Sequence, residues 1–188
     1  MILTIYVAGI SILAQASWSI KQPGTVTLYS RTKYKDPDGG YGRSAFSFKH
    51  GLRSDEDIKV THNNFDLLYG NVDLEGDADW FQVTMVTDDR SRIKDLGELE
   101  WSNIFDVPIL EAAPEPHKGM TPDFKTKNLA ESSDWQVAKV KVGHIYVVHS
   151  KDTMSEGYAL FRVDELVPND SVSISWKTVP SPEVPISR

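Results

Sequence analysis

SVSISW, residues Ser171 to Trp176, is the clearest indication of the fold, because polar and apolar residues alternate along it without a break. In an extended segment this period of two places Val172, Ile174 and Trp176 on one face and only serines on the other. The stretch therefore predicts a β-strand in a sheet with one buried face and one solvated face.

Three further runs rich in β-branched and aromatic residues precede this strand and are separated from it and from each other by turn-forming residues. They are Val137 to Lys141, Ile145 to His149 and Ala159 to Val163. Four antiparallel strands in chain order predict a C-terminal four-stranded meander within residues 135–180. A unit of this size is near the lower limit for independent folding, so we expect it to dock on the preceding part of the chain. Prolines follow Val179, and residues 181–188 are expected to form an extended tail.

The first half of the chain also has the alternation of strands. Its strand candidates are Thr25 to Ser30, Ser44 to Phe48, Phe65 to Tyr69 and Trp80 to Thr87. Residues Ser91 to Pro108 have loosely helical spacing interrupted by Gly97, and they predict one short helix at most. The chain is therefore expected to be all-β and mainly antiparallel, as a β-sandwich or a small barrel with at most one or two short helices.

Domain organisation follows from composition. Residues 17–110 form the expected β-rich domain, and residues 111–134, which contain three prolines and few large apolar side chains, predict a linker or long surface loop. Residues 1–16 are apolar and end in small residues, which is typical of a signal peptide, although a buried N-terminal segment is the alternative. A cleaved leader predicts a secreted, periplasmic or extracellular protein, and a retained segment predicts a cytoplasmic one. The run is too short to be a transmembrane segment.

Composition excludes several classes of function. The chain of 188 residues has no cysteine, so it has no disulfide, no thiolate nucleophile and no cysteine-ligated metal. Its 20 Lys and Arg residues against 27 Asp and Glu give a net charge of −7. Because an acidic surface repels phosphate backbones, we expect no nucleic-acid partner.

The clearest charge pattern is a row of carboxylates at alternate positions, formed by Asp73, Glu75, Asp77 and Asp79. In an extended segment all four would lie on one side, and a row of oxygens is the ligand set that calcium prefers. One interpretation of the row is thus a calcium site, and we expect no other cofactor. An EF-hand is excluded, because the residue types at its glycine and glutamate positions do not match. The alternative is a solvated acidic loop that protects a sheet edge.

No motif for catalysis is present. The five histidines include no zinc-binding pair, and neither a serine-hydrolase elbow nor a phosphate-binding loop occurs. His149 and Asp152 could pair as a base and its orienting group, but the end of a strand followed by an acidic turn produces the same proximity. We therefore predict no catalytic residues.

Exposed aromatic residues are the remaining candidates for binding. Trp18 and Trp135 lie in polar surroundings, where indole rings can contact a partner protein or the face of a sugar. The absence of catalytic motifs favours a non-enzymatic binding or assembly module of the cell envelope or extracellular space, whose partner is another protein or a second copy of the chain. The alternatives are a secreted hydrolase that uses carboxylates and a module that binds a polysaccharide, either of them with or without calcium.

Overall fold

The structure is a computed structural model, which describes residues 16–17, 23–34, 41, 43–52, 65–71, 76–83, 91–103, 107–110, 136–151 and 155–182. Strands dominate these residues, and the helices are short. The elements are β1 (Ala16–Ser17), β2 (Gly24–Tyr29), α1 (Arg31–Tyr34), β3 (Ala45–Ser47), β4 (Gly51–Leu52), β5 (Leu67–Tyr69), β6 (Trp80–Gln82), β7 (Arg92–Glu98), a 3-10 helix (Trp101–Asn103), β8 (Val137–Lys139), β9 (His144–Lys151), β10 (Ser155–Val167) and β11 (Ser171–Val179).

The strands are arranged in two sheets. Sheet A has the order β2-β11-β10-β9-β7, and β1 runs parallel to the start of β10. Sheet B has the order β4-β3-β5-β6-β8, and every pair in it is antiparallel. The all-β, mainly antiparallel prediction is confirmed. Because the described strands form two open sheets rather than a closed ring, the arrangement corresponds to the predicted sandwich and not to the barrel.

The main core lies between the two sheets and is dominated by aromatic rings. Phe81 of sheet B lies 4.9 Å from Phe161 and 5.5 Å from Tyr146, both of sheet A, measured between ring centroids. Phe46 of sheet B contacts Trp176 of sheet A at 5.3 Å. Edge-to-face pairs of this kind add to the free energy gained by burying the rings, so these contacts hold the two sheets together.

The alternation in SVSISW has the predicted result. Val172 and Ile174 are fully buried in the core between the sheets, and Trp176 packs against it. On the opposite face, the Ser173 hydroxyl lies 2.9 Å from the hydroxyl of Thr27 on the neighbouring strand β2. One face of β11 is therefore apolar and the other polar, as a period of two requires.

The outer faces of the sheets also carry apolar side chains. Ile145 and Val147 of β9 point away from the main core and pack against Val107 and Leu110. On sheet B, Ala45, Phe65 and Leu68 form a smaller cluster with Tyr41. The continuous apolar run of β9 is explained by this covering on both faces, since a strand buried on both sides does not need alternation.

The sequence analysis missed a strand between Ser91 and Pro108. Residues Arg92–Glu98 form the seven-residue strand β7, and in the described part of this stretch Trp101–Asn103 is the one short helix, in agreement with the prediction of one short helix at most. The pairing with β9 shifts between Asp95 and Gly97, and Gly97 has a φ of +80°. This β-bulge adds one residue and changes the face on which later side chains lie, so the apolar spacing along the strand loses its period of two.

The predicted four-stranded meander has three strands in the structure. β9, β10 and β11 are consecutive neighbours in sheet A, but β8 pairs with β6 in sheet B. The crossing occurs at residues 140–143, where Gly143 has a φ of +82°. β11 ends at Val179, immediately before Pro180. Strands from both sides of residues 111–134 are present in both sheets, and the predicted linker itself lies outside the described residues, so the domain boundaries stay a prediction.

No described helix has the length and apolar character needed to cross a membrane. Residues 1–15 lie outside the described part of the chain, and the signal peptide and the localisation therefore stay predictions.

Candidate binding site at the β2 edge

Strand β2 is one edge of sheet A, and the directions of its backbone groups follow from two hydrogen bonds. The Ser30 amide donates to the Asp170 carbonyl, on the side of β11, at 2.7 Å. The Tyr29 amide donates to the Arg43 carbonyl, on the opposite side, at 3.4 Å. Because backbone groups alternate in direction along an antiparallel strand, Thr25 and Thr27 also direct their amides and carbonyls away from β11. No described backbone group pairs with the Thr25 and Thr27 amides.

The sequence of β2 leaves this edge without the usual protection against pairing. GTVTLY contains no charged residue and no proline, and its register with β11 is continuous from Gly24 to Tyr29. Native proteins usually protect exposed edges with charges, prolines or bulges. Along Thr25 and Thr27, this strand therefore offers donors and acceptors at the spacing that another extended chain requires.

A cluster of tyrosines and cations lies at the C-terminal end of this edge, and we call it the tyrosine–cation cluster. Each cation lies over a tyrosine ring: Arg31 over Tyr41 at 4.3 Å, Lys33 over Tyr34 at 5.1 Å and Arg43 over Tyr29 at 5.6 Å. The Tyr29 and Tyr34 rings also meet edge to face at 5.5 Å. The rings attract the cations through their negative faces, and this keeps the positive charges close to the surface of the sheet.

The three cations differ in their polar partners. Lys33 forms an ion pair with Asp170, which also accepts a hydrogen bond from the Tyr34 hydroxyl at 2.5 Å. These two donors lower the pKa of Asp170. Arg31 donates to the side-chain oxygen of Asn71 at 2.9 Å. Arg43 is exposed, and no carboxylate of the described residues pairs with its guanidinium group.

Arg43 also has an unusual backbone conformation. Its φ of 66° lies in the left-handed region, which residues with a Cβ atom rarely adopt. The turn around it is closed by the Ser44 amide, which donates to the Tyr41 carbonyl at 2.9 Å. Glycine would satisfy this turn without strain, whereas a side chain here costs about 1–2 kcal/mol. Arginine at this position is therefore not explained by the backbone, and its side chain becomes a candidate for function.

The sequence analysis did not identify this cluster, because it averaged charge over the whole chain. Residues 1–54 contain seven Lys and Arg and two Asp, whereas residues 55–188 contain thirteen Lys and Arg and twenty-five Asp and Glu. A charge asymmetry between parts of a chain is the signal that could have located the positive region.

The predicted row of carboxylates is described only in part. Asp73 and Glu75 lie outside the described residues. Asp77 forms an ion pair with Lys139, and its side chain is 43% exposed. Burial opposes the charge on Asp77, but hydrogen bonds from Lys139 and from the Asp79 amide outweigh burial and lower its pKa. Asp77 is thus held as a carboxylate by a protein cation.

Asp79 has a different environment from Asp77, because it is buried with only 6% of its surface exposed. It accepts hydrogen bonds from the Tyr69 hydroxyl at 2.7 Å and from the Asn169 amide at 2.8 Å. In return, the Asn169 side chain accepts from the Ala78 amide at 2.7 Å. These bonds join the loop between β10 and β11 to sheet B. Among the described residues, no three His, Asp or Glu side chains surround a common position, and the calcium site stays a prediction.

The other candidate residues have structural contacts or lie outside the described residues. Trp18 and Trp135 are outside them, and so is Asp152, the expected partner of His149. The His149 ring is buried and stacks on Tyr158, with 4.3 Å between ring centroids. Its Nδ1 lies 2.9 Å from the Leu110 carbonyl oxygen and its Nε2 lies 2.7 Å from Glu156. Both ring nitrogens are thus engaged, and the partner that the sequence did not identify is Glu156.

Four carboxylates of the described residues have a pKa below its usual value. They are Asp77, Asp95, Glu156 and Asp170. Each accepts a hydrogen bond from a neighbouring cation or histidine. A general acid requires a raised pKa, so these four groups are suited to holding charge and structure rather than to donating a proton.

Comparisons of the chain with models of protein families, with curated proteins and with solved structures find no match.

Proposed function

We propose that this protein is a non-catalytic binding or assembly module of the cell envelope or extracellular space. In this proposal it binds an extended segment of a protein partner along the outer edge of β2. The observation that carries the proposal is the outward direction of the Thr25 and Thr27 backbone groups on a strand without charge, proline or bulge. Adding a strand to an exposed sheet edge is a recurrent way to bind peptides, since main-chain hydrogen bonds supply the affinity.

The packing of β2 supports this role. Leu28, on the inner face of β2, is fully buried, and the edge of β2 opposite the proposed binding edge is paired with β11 along its whole length. A partner strand would therefore meet a rigid template and would need little reorganisation of the protein. Thr25 is exposed and Thr27 is half-buried, so the outer face at this edge is accessible and polar.

The proposal is tested by titrating the isotope-labelled protein with a short end-capped peptide in which valine alternates with glutamine, and by following the backbone amide resonances. We expect the largest changes at the Thr25 and Thr27 amides. Thr27→Pro removes one outward donor and should weaken binding about tenfold. Thr27→Val is the matched control, because it loses the same hydroxyl contact to Ser173 but keeps the amide, and it should bind like the wild type.

Two results would contradict the proposal. One is the absence of any change at Thr25 and Thr27 at saturating peptide. The other is equal binding by the proline and valine variants, which would mean that the amide of residue 27 is not used.

A further inference from the structure

We propose that the segment bound along β2 is acidic, and that one of its carboxylates binds the guanidinium group of Arg43. This inference rests on the proposed function and specifies the chemistry of the partner.

Arg43 lies beside the C-terminal end of the β2 edge. Its carbonyl accepts the Tyr29 amide, so its backbone occupies the place beside β2 that a partner strand would otherwise take. A bound strand can therefore pair along Thr25 and Thr27 and must end beside Arg43. Since the Arg43 guanidinium lies over the Tyr29 ring, it is on the outer face of sheet A, the same face as the side chains of Thr25 and Thr27. At that end of a bound strand, side chains on the outer face of sheet A would contact the Arg43 guanidinium group.

The charge of the residues around β2 favours an acidic partner. Residues 23–52 contain five Lys and Arg against two Asp. This region is positive although the whole chain has a net charge of −7. A carboxylate can accept two parallel hydrogen bonds from a guanidinium group, and Arg43 has no carboxylate partner among the described residues.

The backbone conformation of Arg43 also indicates a binding site. A left-handed φ at a residue with a Cβ atom stores strain, and such strain is found preferentially at binding sites. The turn itself would accept glycine. The turn does not require an arginine side chain, whereas binding of an acidic partner does.

The geometry favours a peptide over other anions. A polysaccharide or a nucleic acid would be attracted to the same cations, but neither has the alternating amides and carbonyls that match Thr25 and Thr27. A second copy that pairs through its own β2 has such groups, but the sequence GTVTLY offers no carboxylate to Arg43. The occupant that satisfies both the edge and the cations is an acidic extended segment of another protein.

The test compares three end-capped peptides that differ only at every second position, where they carry glutamine, glutamate or lysine. At low ionic strength we expect the glutamate peptide to bind the wild-type protein about threefold more tightly than the glutamine peptide, and the lysine peptide to bind least tightly. The preference for glutamate should decrease as salt is added. Arg43→Gln should remove the preference, and Lys94→Gln, which removes one exposed positive charge from β7 at the opposite edge, should leave it unchanged.

The outcomes separate this inference from the proposed function. Equal binding of the three peptides, or a preference that survives Arg43→Gln, would overturn the acidic partner and leave the binding edge intact. Failure of all three peptides to change the Thr25 and Thr27 amides would overturn both. A different outcome is that a heparin fragment or an oligonucleotide at equal concentration displaces the glutamate peptide and binds the Thr27→Pro variant as tightly as the wild type. That result would assign the cations to another class of anion. A dimer in sedimentation experiments that Thr27→Pro dissociates would assign the edge to a second copy.

Discussion

The two edges of sheet A differ in charge and in the continuity of their pairing. β7 carries Lys94, Asp95 and Glu98 and is interrupted by the bulge at Gly97, whereas β2 has no charge and an unbroken register. Charges and bulges are the devices by which proteins prevent additional strands from joining a sheet. One edge of this sheet is therefore protected and the other is suitable for pairing, and this difference is the basis of the proposed function.

The largest expected effect concerns two glycines, Gly97 in β7 and Gly70, which follows β5 and packs against Ser30 beside the end of β2. Both Gly70 and Gly97 have a positive φ, but a Cβ at Gly70 would lie 2.6 Å from the Ser30 Cα, whereas a Cβ at Gly97 would meet nothing within 4 Å. Gly97→Ala should therefore cost only the backbone strain, about 1–2 kcal/mol. Gly70→Ala adds overlap with the backbone next to β2 and should cost roughly 3–5 kcal/mol.

Urea denaturation of both glycine variants measures this difference. Similar losses for the two would mean that Ser30 moves easily and that the end of β2 is less rigid than the proposed template requires.

The next effect tests the direction of the backbone groups in β2. The Val26 amide points to β11 and the Thr27 amide points outward, so proline at these neighbouring positions should have unequal consequences. Val26→Pro removes a hydrogen bond of the sheet and should cost about 3 kcal/mol or more. Thr27→Pro should cost about 1 kcal/mol, because proline is tolerated where the amide faces away from the sheet. Thermal denaturation gives the order of stability of the two variants. A less stable Thr27→Pro variant would contradict the outward direction of the Thr27 amide.

A smaller effect is expected at Arg43. Arg43→Ala keeps the left-handed strain and loses the contact with the Tyr29 ring, whereas Arg43→Gly loses the same contact but relieves the strain. The glycine variant should be more stable than the alanine variant by about 1 kcal/mol, even though glycine usually destabilises folded proteins. Chemical denaturation of the pair decides this, and a more stable alanine variant would remove strain from the argument for function.

The smallest effect concerns acid sensitivity at β7. Burial opposes the charge on Asp95, but hydrogen bonds from His144, the Gly97 amide and Lys141 outweigh it and lower its pKa. A carboxylate whose pKa is lower in the folded state stabilises the protein above its unfolded pKa, and this contribution is lost as the pH falls below about 4. Asp95→Asn should reduce stability at neutral pH by less than about 1 kcal/mol, and the difference from the wild type should shrink at pH 3.

Urea midpoints of both proteins at the two pH values measure the effect. A constant difference at both pH values would show that the Asp95 charge does not contribute to holding the β7 edge.

Much of the fold could be predicted because local alternation reports directly on burial. Thr25 to Ser30 and Ser171 to Trp176 alternate clearly, and both became strands with the predicted faces. β7 could not be predicted, because a bulge at one glycine changes the face of the residues after it and disguises the period. The partner of β8 could not be predicted either, since its sequence does not say which sheet its amides join.

The candidate site was less predictable than the fold. The row of acids attracted attention because its pattern is regular, yet Asp77 and Asp79 are engaged by Lys139 and by Tyr69. The tyrosine–cation cluster has no pattern in sequence, because Tyr29, Arg43 and their neighbours meet only when the turn around Ser44 returns to the edge of β2. The unequal charge of the two parts of the chain was the one signal that could have indicated it.

Local sequence patterns were enough to predict antiparallel strands with apolar faces turned inward, because side chains alternate in direction along a regular strand. Local patterns did not predict which strand is an edge, which sheet β8 joins, or that Arg43 lies beside the outward amides of β2. These properties depend on contacts between residues distant in sequence, and the free energy of such contacts is set by the packing of the whole molecule.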